Sequence, residues 1–387
     1  MKEPYSTLVD QIPPSGIRAF FDLVIDAKDI ISLGVGEPDF KTPNVIVKQA
    51  IKTLEKGKNS YTSNYGLLSL RQEISEYQYN RFKCFYDPHT EILITAGASE
   101  GIDLSLRSIL NPGDEVILPE PNYVCYAPLI SLCGAKVVIL DTSKTNFVPD
   151  LHLLAEKVTS KTKAIILCSP NNPTGAVIPK KQLQAILKMA ISHDFWVISD
   201  EIYAEITFDQ DYISFSSLPR AKPKTILLNG FSKSFAMTGW RLGYICAPKP
   251  LIDRAVKILQ YAQLCAPTLS QYSAITALKK ALPDVDFMRK SYKSRRNLCL
   301  KRFVEMGLDI VKPDGAMYCF PSIRSTNLTS LEFALKLLEE EKVAVVPGTA
   351  FGESGEGFIR CCYATDRVLL SEALKRISRF VKRYRKA

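Results

Sequence analysis

The stretch NGFSKSFAMTGWRLGY, residues 229–244, decides how this chain is read, because it sets one lysine between an aliphatic run and a glycine-punctuated cationic turn. The run before it, Thr225-Ile226-Leu227-Leu228, has the composition of a short buried strand. Gly230, Ser232 and Ser234 then surround Lys233 with small residues. A primary amine at the C-terminal edge of a strand forms an imine with a carbonyl cofactor once its pKa is brought down from the unperturbed ~10.4. Arg241, eight positions on, is either a source of the positive field that lowers it or a holder of a phosphate. The plain alternative for Lys233 is a solvated loop lysine. Other residues have to decide.

Outward from this stretch, between about residues 90 and 250, short apolar runs alternate with helical periodicity. The runs are Ile92–Thr95, Glu115–Pro119, Lys136–Leu140, Ala164–Cys168, Trp196–Ser199, Thr225–Asn229 and Gly243–Ala247. Strand and helix in alternation predict an α/β large domain, with a mainly parallel seven-stranded sheet covered by helices. After Pro283 a long charged helical stretch, residues 287–307, leads into mixed strand and helix patterns, which predict a smaller α+β domain. The expected division is 46–285 for the large domain, with 1–45 and 286–387 forming the small one.

At 387 residues the chain exceeds one ordinary core. Its 46% hydrophobic and 23% charged residues exclude a disordered or fibrous chain. No apolar run reaches membrane-spanning length, and the N-terminal MKEPYSTLVDQ lacks the apolar core of a signal peptide, so a cytoplasmic protein is expected. The ten cysteines are scattered without Cys-x-x-Cys spacing and read as buried free thiols. His89, His152 and His193 are far apart in sequence, which speaks against a histidine metal site or triad. The net charge of +10 is spread along the chain rather than clustered with aromatics, so no nucleic-acid partner is expected. Its one dense patch, KRISRFVKRYRKA at 375–387, reads as a final amphipathic helix with basic residues at its favourable end rather than as a membrane-binding segment.

Polar signatures follow the strands directly: Gly97-Ala98-Ser99, Pro121-Asn122-Tyr123, residues 169–175 (SPNNPTG), Asp200-Glu201-Ile202-Tyr203 and Ser232-Lys233. Ligand crevices of open parallel sheets lie at the carboxyl ends of the strands, so the five segments converge on one site. Asp200 ends an apolar strand, where a carboxylate needs a cationic partner; a protonated pyridine nitrogen would serve, and a helix N-cap is the competing reading. Tyr203, one turn on, either donates to a phenolate-like oxygen or is a half-buried aromatic. The amides of Ala98 and Ser99 at a helix N-terminus form an anion site, to which Ser232 and Arg241 add donors. Arg360 follows the glycine-flanked run 355–359 and is either a bidentate carboxylate clamp or a structural ion-pair partner.

Taken together these segments resemble the signatures of pyridoxal-phosphate-dependent class I aminotransferases of fold type I. The match extends through ISLGVGEPDF at 31–40, YTSNYGLLSLR at 61–71, TAGASEG at 95–101, NPGDEVILPEPNY at 111–123 and VVPGTAFGESGEGFIR at 345–360. The branch it resembles most holds prokaryotic aspartate, aromatic and N-acetyl-diaminopimelate aminotransferases. The resemblance implies that Lys233 carries pyridoxal 5'-phosphate as an imine and moves the substrate proton, and that Asp200 pairs with the pyridine nitrogen. It implies that Tyr203 and Asn172 bond the ring oxygen, while Tyr123 stacks on the ring. Ala98, Ser99, Ser232 and Arg241 would hold the phosphate, joined by Tyr61 of the neighbouring subunit in a homodimer. Arg360, with Asn172 and the backbone of Gly36, would bind the substrate carboxylate under an N-terminal lid. Without a dimer, Tyr61 is an ordinary aromatic.

The resemblance also frames the substrate. Some aspartate-preferring members carry lysine where this chain has Ser99, and the SGIRAF segment at 15–20 resembles aromatic and N-acetyl-diaminopimelate members. Transfer from aspartate or an aromatic amino acid to 2-oxoglutarate by a ping-pong route is favoured, with an N-acetylated dibasic donor behind it. Two other classes compete: a β-eliminating C–S lyase of the same fold, and a non-enzymatic regulator, which needs a DNA-binding domain for which 387 residues leave no room.

Overall fold

The computed structural model describes residues 5–14 and 29–385; the SGIRAF segment lies outside them. Twelve strands are described, of which seven form the central sheet: β2 (Ile92–Thr95), β3 (Glu115–Glu120), β4 (Lys136–Asp141), β5 (Thr162–Cys168), β6 (Trp196–Asp200), β7 (Thr225–Gly230) and β8 (Gly243–Cys246). Their order is β2-β8-β7-β6-β5-β3-β4. Six of them run in one direction, whereas β8 alone is reversed, antiparallel to both its neighbours, β2 and β7. Each predicted run is present with its ends moved by no more than two residues. The reversed direction of β8 could not be read from its composition, because side-chain alternation is the same in both directions.

The interior strands are apolar on both faces, as a sheet covered on two sides requires. On one face Ile166, Ile198, Ile226 and Ile245 pack with Ile102 and Leu106 of the helix Ala98–Ile109 and with Ile252 and Ala255 of the helix Lys249–Ala262. On the other, Ile165, Leu167 and Val197 meet Leu183, Ile186 and Ala190 of the helix Lys180–Ser192.

The remaining strands are short. β1 (Ile31–Ser32) pairs in parallel with β10 (Val343–Ala344), tying the N-terminal segment to the C-terminal third. β11 (Val346–Pro347), β12 (Ile359–Cys362) and β9 (Tyr318–Cys319) form an antiparallel sheet in that order. The charged stretch after residue 282 is one helix, Leu282–Glu305, opened by a proline in its first turn, where a missing N–H costs nothing. It crosses the expected division at 285/286. The final helix, Arg367–Tyr384, is capped by Asp366, whose side chain accepts from the amides of Val368 and Leu369. Leu370, Leu374, Ile377, Phe380 and Val381 form its buried stripe, and Lys382 and Arg383 stand in its last turn. Among the described residues, no helix is long and apolar enough to cross a membrane.

One junction aims β9 at the central sheet. Gly175, at φ 73°, closes the 169–175 loop, and its carbonyl accepts from the amides of Asp314 at 2.9 Å and Gly315 at 3.0 Å. A side chain there would stand 2.5 Å from the Pro313 Cβ. Only glycine satisfies both the backbone and the approach.

Candidate active site

At the carboxyl ends of β5, β6 and β7 lies a cavity of about 770 Å³, and every site residue named from sequence except Tyr61 lines it. Ala98 and Ser99 come from the start of the first covering helix, Tyr123 from the turn after β3, Asn172 from the loop after β5, and Asp200 with Tyr203 from the end of β6. Ser232, Lys233 and Arg241 follow β7, Arg360 reaches in from β12, and Gly36 closes the mouth.

Strand alternation separates the two carboxylates that end β6. Asp200 faces the cavity side, while Glu201 turns to the opposite side, where Ser199, Ser214 and the Phe215 amide bond its carboxylate. Asp200 is 3% exposed and receives the Tyr126 hydroxyl at 2.7 Å and the Ile202 amide at 3.2 Å. No helix follows it, so the N-cap alternative falls away. Burial pushes its carboxyl above the ordinary 3.8, while the Tyr126 and Ile202 bonds pull it back. Among the described residues, no cation forms an ion pair with it.

Lys233 stands half-buried at the end of β7, and its Nζ donates to the Gly36 carbonyl at 2.7 Å. Loss of water lowers its pKa from 10.5 to about 8. Glu37 acts in the opposite direction, while the fields of Arg360 and Arg241 are smaller lowering contributions. The field of Arg241, offered from sequence as the cause, is therefore secondary to burial.

Arg360 is 2% exposed, yet no carboxylate among the described residues pairs with it. Its guanidinium donates to the Asn172 side-chain carbonyl at 3.0 Å and to the Gly34 main-chain carbonyl, and its Nε has no partner. The structural ion pair weighed from sequence is absent among the described residues. The rings of Tyr318 and Phe351 sandwich the cation at 4.7 and 4.8 Å. Because Asn172 accepts from Arg360 through oxygen, its amide nitrogen is left to donate into the cavity.

At the other end Gly97, at φ 96°, precedes the helix Ala98–Ile109 and leaves its first amides open. The Arg241 Nη2 stands 2.7 Å from where a Gly97 side chain would be, so an open cradle of donors forms there. Tyr123 packs edge-on against Tyr126 at 5.7 Å. Tyr61 lies outside the cavity, 81% exposed, on the rim of a broad apolar groove of about 1410 Å³ that also holds Trp240, Arg241 and Pro267.

Sequence reasoning did not name Tyr126, which bonds Asp200, or Tyr318, whose hydroxyl meets that of Tyr203 at 2.7 Å. Tyr126 had a usable signal, lying three residues beyond Tyr123 in the same strand-to-helix turn. Tyr318 had none, since its strand is brought to the site by contacts of residues 313–316 with Gly175 and with residues 206–208, all far from it in sequence.

A family model described as "Aminotransferase class I and II" matches residues 28–377. The chain is 50% identical over 97% of its length to the Bacillus subtilis (strain 168) chain named "Putative aminotransferase YugH", covering 98% of that protein. It is 45% identical to an aspartate aminotransferase of Pyrococcus abyssi, over 97% of this chain and 98% of the relative. Among solved structures, an aromatic aminotransferase from Pyrococcus horikoshii superposes with a TM-score of 0.90 at 46% identity, over 95% of this chain and 99% of that one. With sequence and fold matched over nearly its whole length, the chain belongs to the class I and II aminotransferases and is a transaminase of the α/β, fold type I architecture.

Proposed function

We propose that this aminotransferase works with pyridoxal 5'-phosphate and moves an amino group from an L-amino acid, aspartate or an aromatic one, to 2-oxoglutarate by ping-pong kinetics. One observation carries the reading: two buried charges of opposite sign, Asp200 and Arg360, lack ionic partners among the described residues of one cavity, and a lysine with a pKa near 8 stands in the same wall. Buried charges without partners are costly, so each is best explained by a ligand of opposite charge.

The residues fit that cofactor. Asp200 suits its protonated ring nitrogen, the Asn172 amide and the Tyr203 hydroxyl suit its ring oxygen, and Tyr123 suits its ring face. The amides of Ala98 and Ser99, with Ser232 and Arg241, suit its phosphate. Lys233 is the amine to hold it covalently. When bound, the cofactor supplies an electron sink that allows the substrate α-carbon to lose a proton. Arg360 binds and orients the α-carboxylate through its planar fork, with the backbone at Gly36 closing over it. The Lys233 Nζ would be the group to take the substrate α-proton, a role favoured by a pKa near working pH.

The same reading pairs two copies of the chain, with Tyr61 of each completing the phosphate site of the other, inside a cytoplasmic enzyme whose large domain spans residues 46–285. Mixing purified enzyme with a panel of L-amino acids, without acceptor, and following cofactor absorbance tests the donor. Aspartate or aromatic amino acids should convert the cofactor fastest, and Lys233→Ala should abolish conversion. Pyruvate release from cystathionine without an acceptor would point instead to β-elimination.

A further inference from the structure

Tyr318 carries contacts that the reading above does not use. It is 1% exposed and arrives on β9, yet it lines the cavity. Its ring lies under the Arg360 guanidinium at 4.7 Å and edge-on to Tyr203 at 5.7 Å. Its Oη stands 2.7 Å from where a side chain at Gly36 would be. One ring therefore touches the carboxylate clamp, the ring-oxygen donor and the closing backbone segment.

Either hydroxyl could donate to the other, and the pyridoxal-phosphate reading sets the order. Tyr203 and Tyr318 are hydrogen-bonded to each other at 2.7 Å, and neither hydroxyl has a second protein partner among the described residues. Burial holds both phenols well above the ordinary 10, so each keeps its one proton at working pH. Were Tyr203 the donor to Tyr318, it would have no proton left for the ring oxygen. With Tyr318 as donor, the Tyr203 proton is free to point into the cavity, where an anionic ring oxygen would receive it.

We infer that Tyr318 is a positioning residue that donates to the Tyr203 hydroxyl and so fixes and strengthens the hydrogen bond Tyr203 makes to the cofactor, while its ring seats Arg360. The inference rests on the pyridoxal-phosphate reading. A hydroxyl that accepts a hydrogen bond becomes a better donor, so the phenol pair acts as a two-link chain aimed at one atom. The same side chain thereby ties the site for the substrate carboxylate to the site that tunes the cofactor.

Two variants separate these duties. In Tyr318→Phe the ring remains and the donor is lost. The pH at which the bound cofactor's absorbance changes should rise by about half to one unit, since the ring oxygen loses part of its stabilisation. KM for the amino donor should stay near wild type. In Tyr318→Leu the ring is lost too, and KM should also rise roughly thirtyfold, the size of one desolvated cation–π contact. In a Tyr203→Phe background, Tyr318→Phe should leave the midpoint where Tyr203→Phe alone puts it. A wild-type midpoint in folded Tyr318→Phe, or a full additive shift in the double variant, overturns the inference. Absence of any cofactor band in the wild-type protein would sink the pyridoxal-phosphate reading itself, and this inference with it.

Discussion

At Lys233 two effects oppose each other, and their sizes decide what the amine does. Desolvation favours the neutral form, Glu37 favours the charged one, and the balance leaves the pKa at about 8. A lowered pKa in the folded chain means that protonated Lys233 is the penalised form. That penalty is complete below pH 8 and is relieved as pH rises from about 8 toward the ordinary 10.5. In cofactor-free protein, reductive trapping of the amine by an aldehyde should therefore reach its half-maximal rate near pH 8, read from the Lys233 peptide by mass spectrometry. A midpoint near that of the surface lysines would refute it. Arg360 yields a second expectation. Its fork spans Asn172 and Gly34 while Nε stays unpartnered, a geometry that lysine's single ammonium cannot reproduce. Arg360→Lys should raise KM for the amino donor roughly tenfold to a hundredfold, the equivalent of one charge-assisted hydrogen bond of about 1.5–3 kcal/mol. Steady-state kinetics with a fixed acceptor would check it, and an unchanged KM would remove Arg360 from the carboxylate site.

Among the elements, the site is an affair of strand ends and of one glycine junction. β5 and β6 stop in register, with Cys168 beside Asp200, and β7 runs two residues beyond Leu228, the partner of Asp200, so the residues that follow the three strands emerge close to one level. The small-sheet strands have no such register with the large sheet. Their placement depends on contacts such as that between Gly175 and Pro313 to Gly315. Gly175→Ala would meet both a left-handed backbone and a clash, its Cβ standing only 2.5 Å from that of Pro313. It should lower stability by about 2–4 kcal/mol and weaken cofactor retention together, because the Gly175 carbonyl ties the 169–175 loop to the residues leading into β9. Thermal unfolding with and without pyridoxal phosphate would measure both. A variant as stable as wild type would show that the junction yields at little cost.

Across the whole molecule, one surface stands out beside the cavity. Tyr61, Tyr261, Leu54 and Ile51 are more than half exposed, and Tyr61 borders the apolar groove that Arg241 also lines. An apolar surface of that kind next to the donor cradle of Gly97 and Arg241 suits a second copy of the chain. Light scattering should give a particle of twice 43.3 kDa, and Tyr61→Phe should weaken cofactor binding without dissociating it. A monomer that nonetheless holds the cofactor as tightly would remove Tyr61 from the site.

The sequence alone determined the seven sheet strands, the loops at their carboxyl ends and the candidate roles of Lys233, Asp200 and Arg360. Strand periodicity and turn chemistry are local, and a lysine or carboxylate at the end of an apolar run is visible without neighbours. Only the tertiary structure decided the direction of β8, the burial that lowers the Lys233 pKa, and the want of an ionic partner for Arg360. It alone brought Tyr126 to Asp200 and Tyr318 to Tyr203, residues 74 and 115 positions apart in the chain. Desolvation and long-range hydrogen bonds belong to the packed interior, where what a side chain becomes depends on segments far from it in sequence.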